Sequence, residues 1–238
     1  MLCPVKIEDQ KAEIVKTWAI FHVHAERPIS LRAILPKPVP GYKKARNVTF
    51  TAKKYPNIAD RQKAFEDMAL KLNAMGYNIY IVLNLIDPSF EGDEENEIAV
   101  GDAHIASRRY LFIDLDRAQT DQPATDDEMD EVFRVAGAIE REYFFSKGHE
   151  PITVNSGNGA HIYLPIDLPN DGVSKLKCQQ MLQSLAAKYD TANVKVDQSV
   201  YTASRITKVP GCIARKGLEV PDDTGFNERY YRMVSVLE

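Results

Sequence analysis

A short run of alternating residues, Tyr110-Leu111-Phe112-Ile113-Asp114-Leu115-Asp116, constrains the fold more than any other part of the chain. Its branched and aromatic residues predict a buried β-strand. Side chains two residues apart on a strand point the same way, so Asp114 and Asp116 share one face. Neighbouring carboxylates repel each other unless a cation lies between them, and their hard oxygen atoms suit Mg²⁺ or Mn²⁺. The motif therefore indicates a metal site, with a polar turn at the surface as the alternative.

Composition narrows the class of protein. The chain has 238 residues, of which 44% are hydrophobic and 27% charged, as in an ordinary globular protein of one large or two small domains. No apolar run approaches the ~18 residues of a membrane span, and acids at the N-terminus argue against a secretory signal. Cys3, Cys178 and Cys212 lie far apart, without a C-x-x-C pair. We therefore expect a reduced, cytoplasmic protein without a cysteine-built zinc site.

Charge is distributed unevenly around the net value of −4. Residues 1–58 contain 11 Lys and Arg against 4 acids, whereas residues 87–131 contain 15 acids against 3 Arg. Residues 201–217 contain four cations and no acid. Basic faces suit phosphate backbones and an acidic focus suits metal ions, although solvated surface explains each run equally well.

Periodicity and turn residues predict helices alternating with strands and hairpins, which indicates an α+β (mixed α/β) fold. Thr125 followed by Glu128 forms a capping box that opens one of the helices. The predicted helices are 58–75, 126–145 and 174–189, and the predicted strands are 77–86, 109–116, 152–155 and 160–166.

Two further motifs carry polar residues. The run from Asn155 to Tyr163 places Ser156 and His161 around a glycine-rich turn, where backbone N–H groups can face an anion. A hairpin with a hydrogen-bonded histidine is the alternative. Downstream, a third acid, Asp197, precedes Arg205 and Lys208. Arg205 can form a bidentate contact with a phosphate, and Lys208 can act on it as a point charge. A strand and turn with solvated charges is the alternative there.

Taken in order, the segments IDLD, SGNGAH and VDQSVYTASRITKVPG resemble the archaeo-eukaryotic primase superfamily. The likeness is strongest to the primase-polymerase domains of phage, plasmid and CRISPR-associated replication proteins, and it covers residues 68–217. It implies a primase core with an RRM-like antiparallel or mixed sheet and a smaller N-terminal α/β subdomain. We expect the subdomains to be residues 1–105 and 106–238. Many relatives carry a zinc module or a helicase, and we expect either an excised catalytic domain whose natural chain continues beyond residue 238 or a compact stand-alone enzyme.

The resemblance also implies roles for individual residues. Asp114, Asp116 and Asp197 would be catalytic and hold two divalent ions, Mg²⁺ or Mn²⁺. The nucleotide-binding residues would be Ser156, Gly157, Gly159, His161, Arg205 and Lys208. Lys216 would contact triphosphate or template, and charge alone suggests template contacts for Lys43, Lys44, Lys53 and Lys54.

The function implied is a template-dependent nucleotidyltransferase that makes or extends primers on single-stranded DNA. Its partners would be the template, a primer strand, deoxynucleoside or nucleoside triphosphates, and a helicase or other replication protein in cis or in trans. We expect a monomer in a prokaryotic host or mobile genetic element, with no membrane partner. Two alternatives stay open, a non-catalytic replication initiator that binds single-stranded DNA and a Mn²⁺-dependent glycosyltransferase.

Overall fold

The computed structural model of the chain describes residues 5–21, 26–92, 97–118, 121–221 and 228–237. These ranges contain four α-helices and twelve strands, and every strand pair is antiparallel. The helices are α1 (Ile7–Phe21), α2 (Ile58–Ala74), α3 (Asp126–Ile139) and α4 (Gly172–Tyr189). The strands are β1 (Ile29–Ile34), β2 (Ala45–Phe50), β3 (Asn78–Val82), β4 (Leu85–Ile86), β5 (Ile105–Arg117), β6 (Ile152–Asn155), β7 (Gly159–Pro169), β8 (Val194–Val196), β9 (Ile206–Lys208), β10 (Ile213–Ala214), β11 (Arg232–Met233) and β12 (Ser235–Val236).

The first sheet has the strand order β2-β1-β3-β9 and packs against α2, which also contacts α1. Phe65 of α2 lies between Trp18 of α1 and Phe50 of β2, with ring centroids 6.3 and 5.7 Å apart. Sequence analysis did not predict α1, although Ile14, Trp18 and Phe21 have helical spacing and are buried.

The second sheet has the order β12-β6-β7-β5-β4, with β8 paired to β5. Its longest strand, β5, carries the predicted acid pair and is covered by buried residues of α3 and α4. The predicted α+β fold is confirmed. The predicted capping box at Thr125 is also present, but α3 ends at Ile139 and continues as a π turn over Glu140–Phe144 instead of an α-helix.

The strand predicted for residues 77–86 is two strands, because the chain crosses from the first sheet to the second between β3 and β4. Asn84 lies at the crossing and is buried. Its Oδ1 accepts a hydrogen bond from the Arg109 N–H (2.8 Å), and its Nδ2 donates to the Ala203 carbonyl (2.9 Å). The polar side chain thus satisfies backbone groups where the ladder is interrupted.

Each sheet contains strands from both sides of residue 105: β9 completes the first sheet, and β4 joins the second. The division into two subdomains at that residue stays a prediction. Cys178 and Cys212 are free and buried, and Cys3 lies outside the described residues. Among the helices of the described ranges, none has the length and apolar character needed to cross a membrane.

Candidate active site

A cleft of about 600 Å³ lies between the two sheets. The first sheet contributes Asn78, Tyr80, Ile206, Thr207 and Lys208, and the second contributes Phe112, Asp114, Asp116 and His161. Further lining residues include Lys44, Asn158, Arg205, Arg215 and Lys216. Residues from all three sequence motifs therefore meet in one cleft, although they are separated along the chain.

Strand register explains this convergence. Asp114 lies on β5 directly opposite His161 of β7. On its other side, the N–H of Asp197, just after β8, donates to the Asp114 carbonyl (2.8 Å). Directly opposite residues of an antiparallel ladder present their side chains on the same face. His161, Asp114 and Asp197 consequently form a row across three adjacent segments, with Asp116 two residues further along β5.

The acid pair is held in an environment that opposes its ionisation. Burial raises the pKa of Asp114 to about 6; the nearby cation Lys208 opposes this shift, and the charge of Asp197 adds to it. Burial also raises the pKa of Asp116, and the charge of Asp114 contributes. Burial and mutual repulsion thus destabilise the ionised form of both carboxylates, and a bound cation would offset this by supplying the opposite charge.

His161 is buried beside the acid pair and is neutral. Its Nε2 lies 3.5 Å from Asp114 Oδ1, and its Nδ1 lies 3.1 Å from the Tyr163 hydroxyl and 3.0 Å from the Thr207 hydroxyl. Burial, followed by the positive charge of Lys208, lowers its pKa well below 6.5. The Asp114 carboxylate favours the tautomer with hydrogen on Nε2, which leaves Nδ1 to accept from one of the two hydroxyls, because these hydroxyls also hydrogen-bond each other (2.6 Å).

Two cations complete the cleft. Lys208 of β9 donates through Nζ to the Ser156 carbonyl (2.8 Å) and lies opposite Tyr80 of β3 in register. Burial lowers the pKa of Lys208, while the charges of Asp114 and Asp116 raise it. The Arg205 guanidinium donates to Asp197 Oδ2 (3.3 Å).

The glycine-rich turn differs in detail from the expectation of exposed N–H groups. The Gly157 N–H donates to Asn155 Oδ1 (2.8 Å), and the residue of the turn that lines the cleft is Asn158. A Cβ on Gly159 would lie 2.2 Å from the Leu115 carbonyl oxygen, so this glycine permits close strand approach. Ser156 is buried and its N–H donates to the Gly159 carbonyl.

The basic residues predicted to contact template separate into two groups. Lys44 and Lys216 line the cleft. Lys53 and Lys54 line a second cavity, and Lys43 lies near it. Lys43 and Lys53 form ion pairs with Glu97 (3.2 Å) and Glu91 (2.8 Å), and the template contacts of these lysines stay a prediction.

The donor chemistry of Asp114 and Asp116 fits a divalent cation, because both offer carboxylate oxygen atoms to the cleft and both resist ionisation without a counter-charge. Asp197 is adjacent, but its carboxylate accepts from Arg205 and from the Ser199 N–H (2.8 Å). The described part of the chain contains no group of three His, Cys, Asp or Glu side chains arranged to hold a metal ion. The Asp197 carboxylate keeps free lone pairs beside these hydrogen bonds, so a metal ion held by Asp197 would have Arg205 as its neighbour.

Sequence analysis missed several residues of the cleft. Tyr80 lies beside the acid pair, and burial together with the Asp114 charge raises its pKa. Asn78 and Tyr80 alternate with the buried Ile79 and Ile81, a pattern that marks one polar face of β3. Thr207, between two other cleft residues, carries the hydroxyl that contacts His161.

Two solved structures share this architecture. The primase-polymerase AEP domain of cyanophage S-2L matches over 96% of this chain and 89% of that one, with a TM-score of 0.51 and 16% identity. The polymerase domain of Mycobacterium tuberculosis ligase D, in complex with DNA, matches over 88% of this chain and 77% of that one, with a TM-score of 0.50 and 15% identity. Both belong to the archaeo-eukaryotic primase superfamily, and at these identities the likeness is one of fold. Neither a family model nor a curated protein matches the sequence.

Proposed function

Because the chain has the archaeo-eukaryotic primase fold, we propose that it is a DNA-directed primase-polymerase. The observation that carries the proposal is the convergence of Asp114, Asp116, His161, Arg205 and Lys208 on one cleft between the two sheets. Acids that can hold metal ions and cations that can neutralise phosphate suit phosphoryl transfer, because its catalysis consists mainly of positioning and charge neutralisation.

In the proposed reaction the 3′-hydroxyl of a primer attacks the α-phosphorus of a nucleoside triphosphate. The hydroxyl proton passes to solvent as the new bond joins O3′ to phosphorus, the bond to the β-phosphate bridging oxygen breaks, and pyrophosphate leaves. Asp114 and Asp116 would hold divalent metal, with Asp197 as the third ligand beside Arg205. Two such ions supply charge stabilisation at both the attacking and the leaving oxygen.

The other side chains of the cleft would bind and orient the nucleotide. Lys208 and Arg205 supply positive charge for the triphosphate, and Lys208 is already fixed by the Ser156 carbonyl. His161 stays neutral and would orient Asp114 through Nε2. Lys44 and Lys216, which line the same cleft, would contact template or triphosphate phosphates.

A second candidate function is a non-catalytic initiator that holds single-stranded DNA. The ion pair between Arg205 and Asp197 favours it, since the third acid is already engaged by a cation of the chain itself.

Primer extension and unprimed synthesis on single-stranded DNA test the two proposals together. Deoxynucleotides and ribonucleotides are supplied separately with Mg²⁺ or Mn²⁺, and Asp114→Asn/Asp116→Asn serves as the control. Metal-dependent product that the double variant fails to make supports the polymerase. DNA binding by folded protein without product under any of these conditions supports the initiator instead.

A further inference from the structure

The outer strand of the first sheet carries a cluster of cations outside the cleft. We name this cluster the basic edge and define it as Lys43, Arg46 and Lys53, which lie on or beside β2. Within the described ranges, β2 is the last strand of its sheet, so one side of it has no strand neighbour there. A surface with these cations suits the phosphates of a nucleic-acid strand.

The basic edge is covered by acids from elsewhere in the chain. The Glu97 carboxylate accepts hydrogen bonds from Arg46 (Nε 3.2 Å, Nη2 3.1 Å), from Lys43 Nζ (3.2 Å) and from the Asn47 N–H (3.3 Å). The Glu97 carbonyl accepts a further bond from Asn47 Nδ2 (2.8 Å). Glu91 forms a bidentate pair with Lys53 Nζ (2.8 and 2.9 Å).

Glu97 is held in an unusual backbone conformation at this contact. Its φ is +50°, a left-handed value that non-glycine residues adopt only when their surroundings compensate the strain. Its side chain is 10% exposed, and the hydrogen bonds from Arg46 and Lys43 hold its pKa below the usual range against the effect of burial. The acidic contact is therefore a specific structural feature and not a chance meeting of surface charges.

Beside the contact lies a second cavity of about 560 Å³, whose lining includes Arg46, Lys53, Tyr55, Glu91 and Glu97. The Tyr55 ring is partly exposed, and Lys54 Nζ lies 5.5 Å from its centroid. Cations beside an aromatic ring are the combination that binds single-stranded nucleic acid, through phosphate contacts and base stacking.

We propose that the basic edge is a second surface for single-stranded nucleic acid and that Glu91 and Glu97 cover it as intramolecular competitors. A carboxylate that accepts from an Arg fork and a Lys occupies the position that a phosphate would take. The exposed Lys53–Glu91 pair contributes little to stability, so its loss to an incoming strand costs the fold little, whereas displacing Glu97 must also break its hydrogen bonds from Asn47. The inference rests on the proposed function only in taking single-stranded DNA as the partner.

Glu97→Gln tests the inference with Glu142→Gln as the matched control. Glu142 loses the same charge and also pairs with a lysine, Lys188 (3.2 Å), but lies on the π turn after α3. Affinity for a fluorescein-labelled oligothymidine is measured by anisotropy across a range of salt concentrations. We expect Glu97→Gln to bind about 3- to 10-fold more tightly than the control at low salt. The slope of log affinity against log salt should steepen by ~0.7 for each additional phosphate contact.

Adding Lys43→Ala and Arg46→Ala to Glu97→Gln should abolish the gain. Glu91→Gln, which alters only the exposed pair with Lys53, provides a second variant if Glu97→Gln fails to fold. Equal affinity and equal salt slope for the Glu97, Glu91 and Glu142 variants would overturn the inference. The binding measurement tests the basic edge, and the nucleotide-transfer assay tests the proposed function. If the proposed function is wrong, the wild-type protein transfers no nucleotide, whatever these variants do to DNA binding.

Discussion

Replacing Asp114 with Asn should stabilise the metal-free protein while removing its proposed activity. The pKa of Asp114 is raised from 3.8 to about 6, and each unit corresponds to ~1.4 kcal/mol. Because the pKa of Asp114 is higher in the folded state, the folded protein binds more protons than the unfolded protein between pH 3.8 and about 6. The free energy that ionisation of Asp114 costs the folded state therefore grows as the pH rises through this range. That cost is about 1 kcal/mol at pH 4.5 and about 3 kcal/mol at pH 8, where both states are ionised.

Because Asn is uncharged and similar in shape, Asp114→Asn removes this cost at both pH values. Urea unfolding in the presence of EDTA should show the variant more stable than the wild type by up to ~3 kcal/mol at pH 8 and by ~1 kcal/mol at pH 4.5. Asp167→Asn, which changes an exposed acid further along the paired strand β7, is the matched control for the loss of one carboxylate. A variant that is less stable than wild type at pH 8 would refute the description of Asp114 as an ionised group held against burial.

Two further substitutions probe the packing and the binding role of the site. Gly159→Ala would place a Cβ 2.2 Å from the Leu115 carbonyl oxygen and should lower the free energy of unfolding in urea by on the order of 3 kcal/mol. The control Gly172→Ala, whose new Cβ meets no neighbouring atom within 4 Å, should not lower it. Equal stabilities of the two variants would contradict the close approach of the strands at Gly159. His161→Ala should raise the KM for nucleotide by ~10-fold or more in steady-state kinetics, because Asp114 loses its neighbour at Nε2, and an unchanged KM would contradict a positioning role.

The parts of the fold that sequence predicted are those where one local pattern dominates. Alternation predicted β5 and the shared face of its acids, and the capping box predicted the start of α3 at Thr125. The convergence of Asp114, His161 and Asp197 was implied by resemblance to a family. The physical cause of this convergence is the strand register, which brings the three residues side by side. The register depends on pairing between strands that are far apart in the chain, so the local sequence does not reveal it.

The parts that sequence did not predict depend on tertiary contacts. The passage of the chain from the first sheet to the second at Asn84 could not be predicted, because the residues on both sides of Asn84 favour strands equally. The cover over the basic edge was missed for a related reason, since a count of charges does not show that Glu97 folds back onto Lys43 and Arg46. Tyr80 was overlooked because one tyrosine in an apolar strand is also typical of a buried core.

Templated addition of a single nucleotide tests the central claim most directly. Primer–templates that differ only in the templating base are each mixed with one nucleotide and Mn²⁺, and the first-turnover rate is measured for wild type, Asp116→Asn and Asp167→Asn. We predict addition of the complementary nucleotide only, with a rate that falls ~100-fold or more in Asp116→Asn, since a metal-held transition state loses several kcal/mol. The rate should be unchanged in Asp167→Asn. Addition that ignores the templating base, or that survives in Asp116→Asn, would contradict a templated reaction in the cleft between the two sheets.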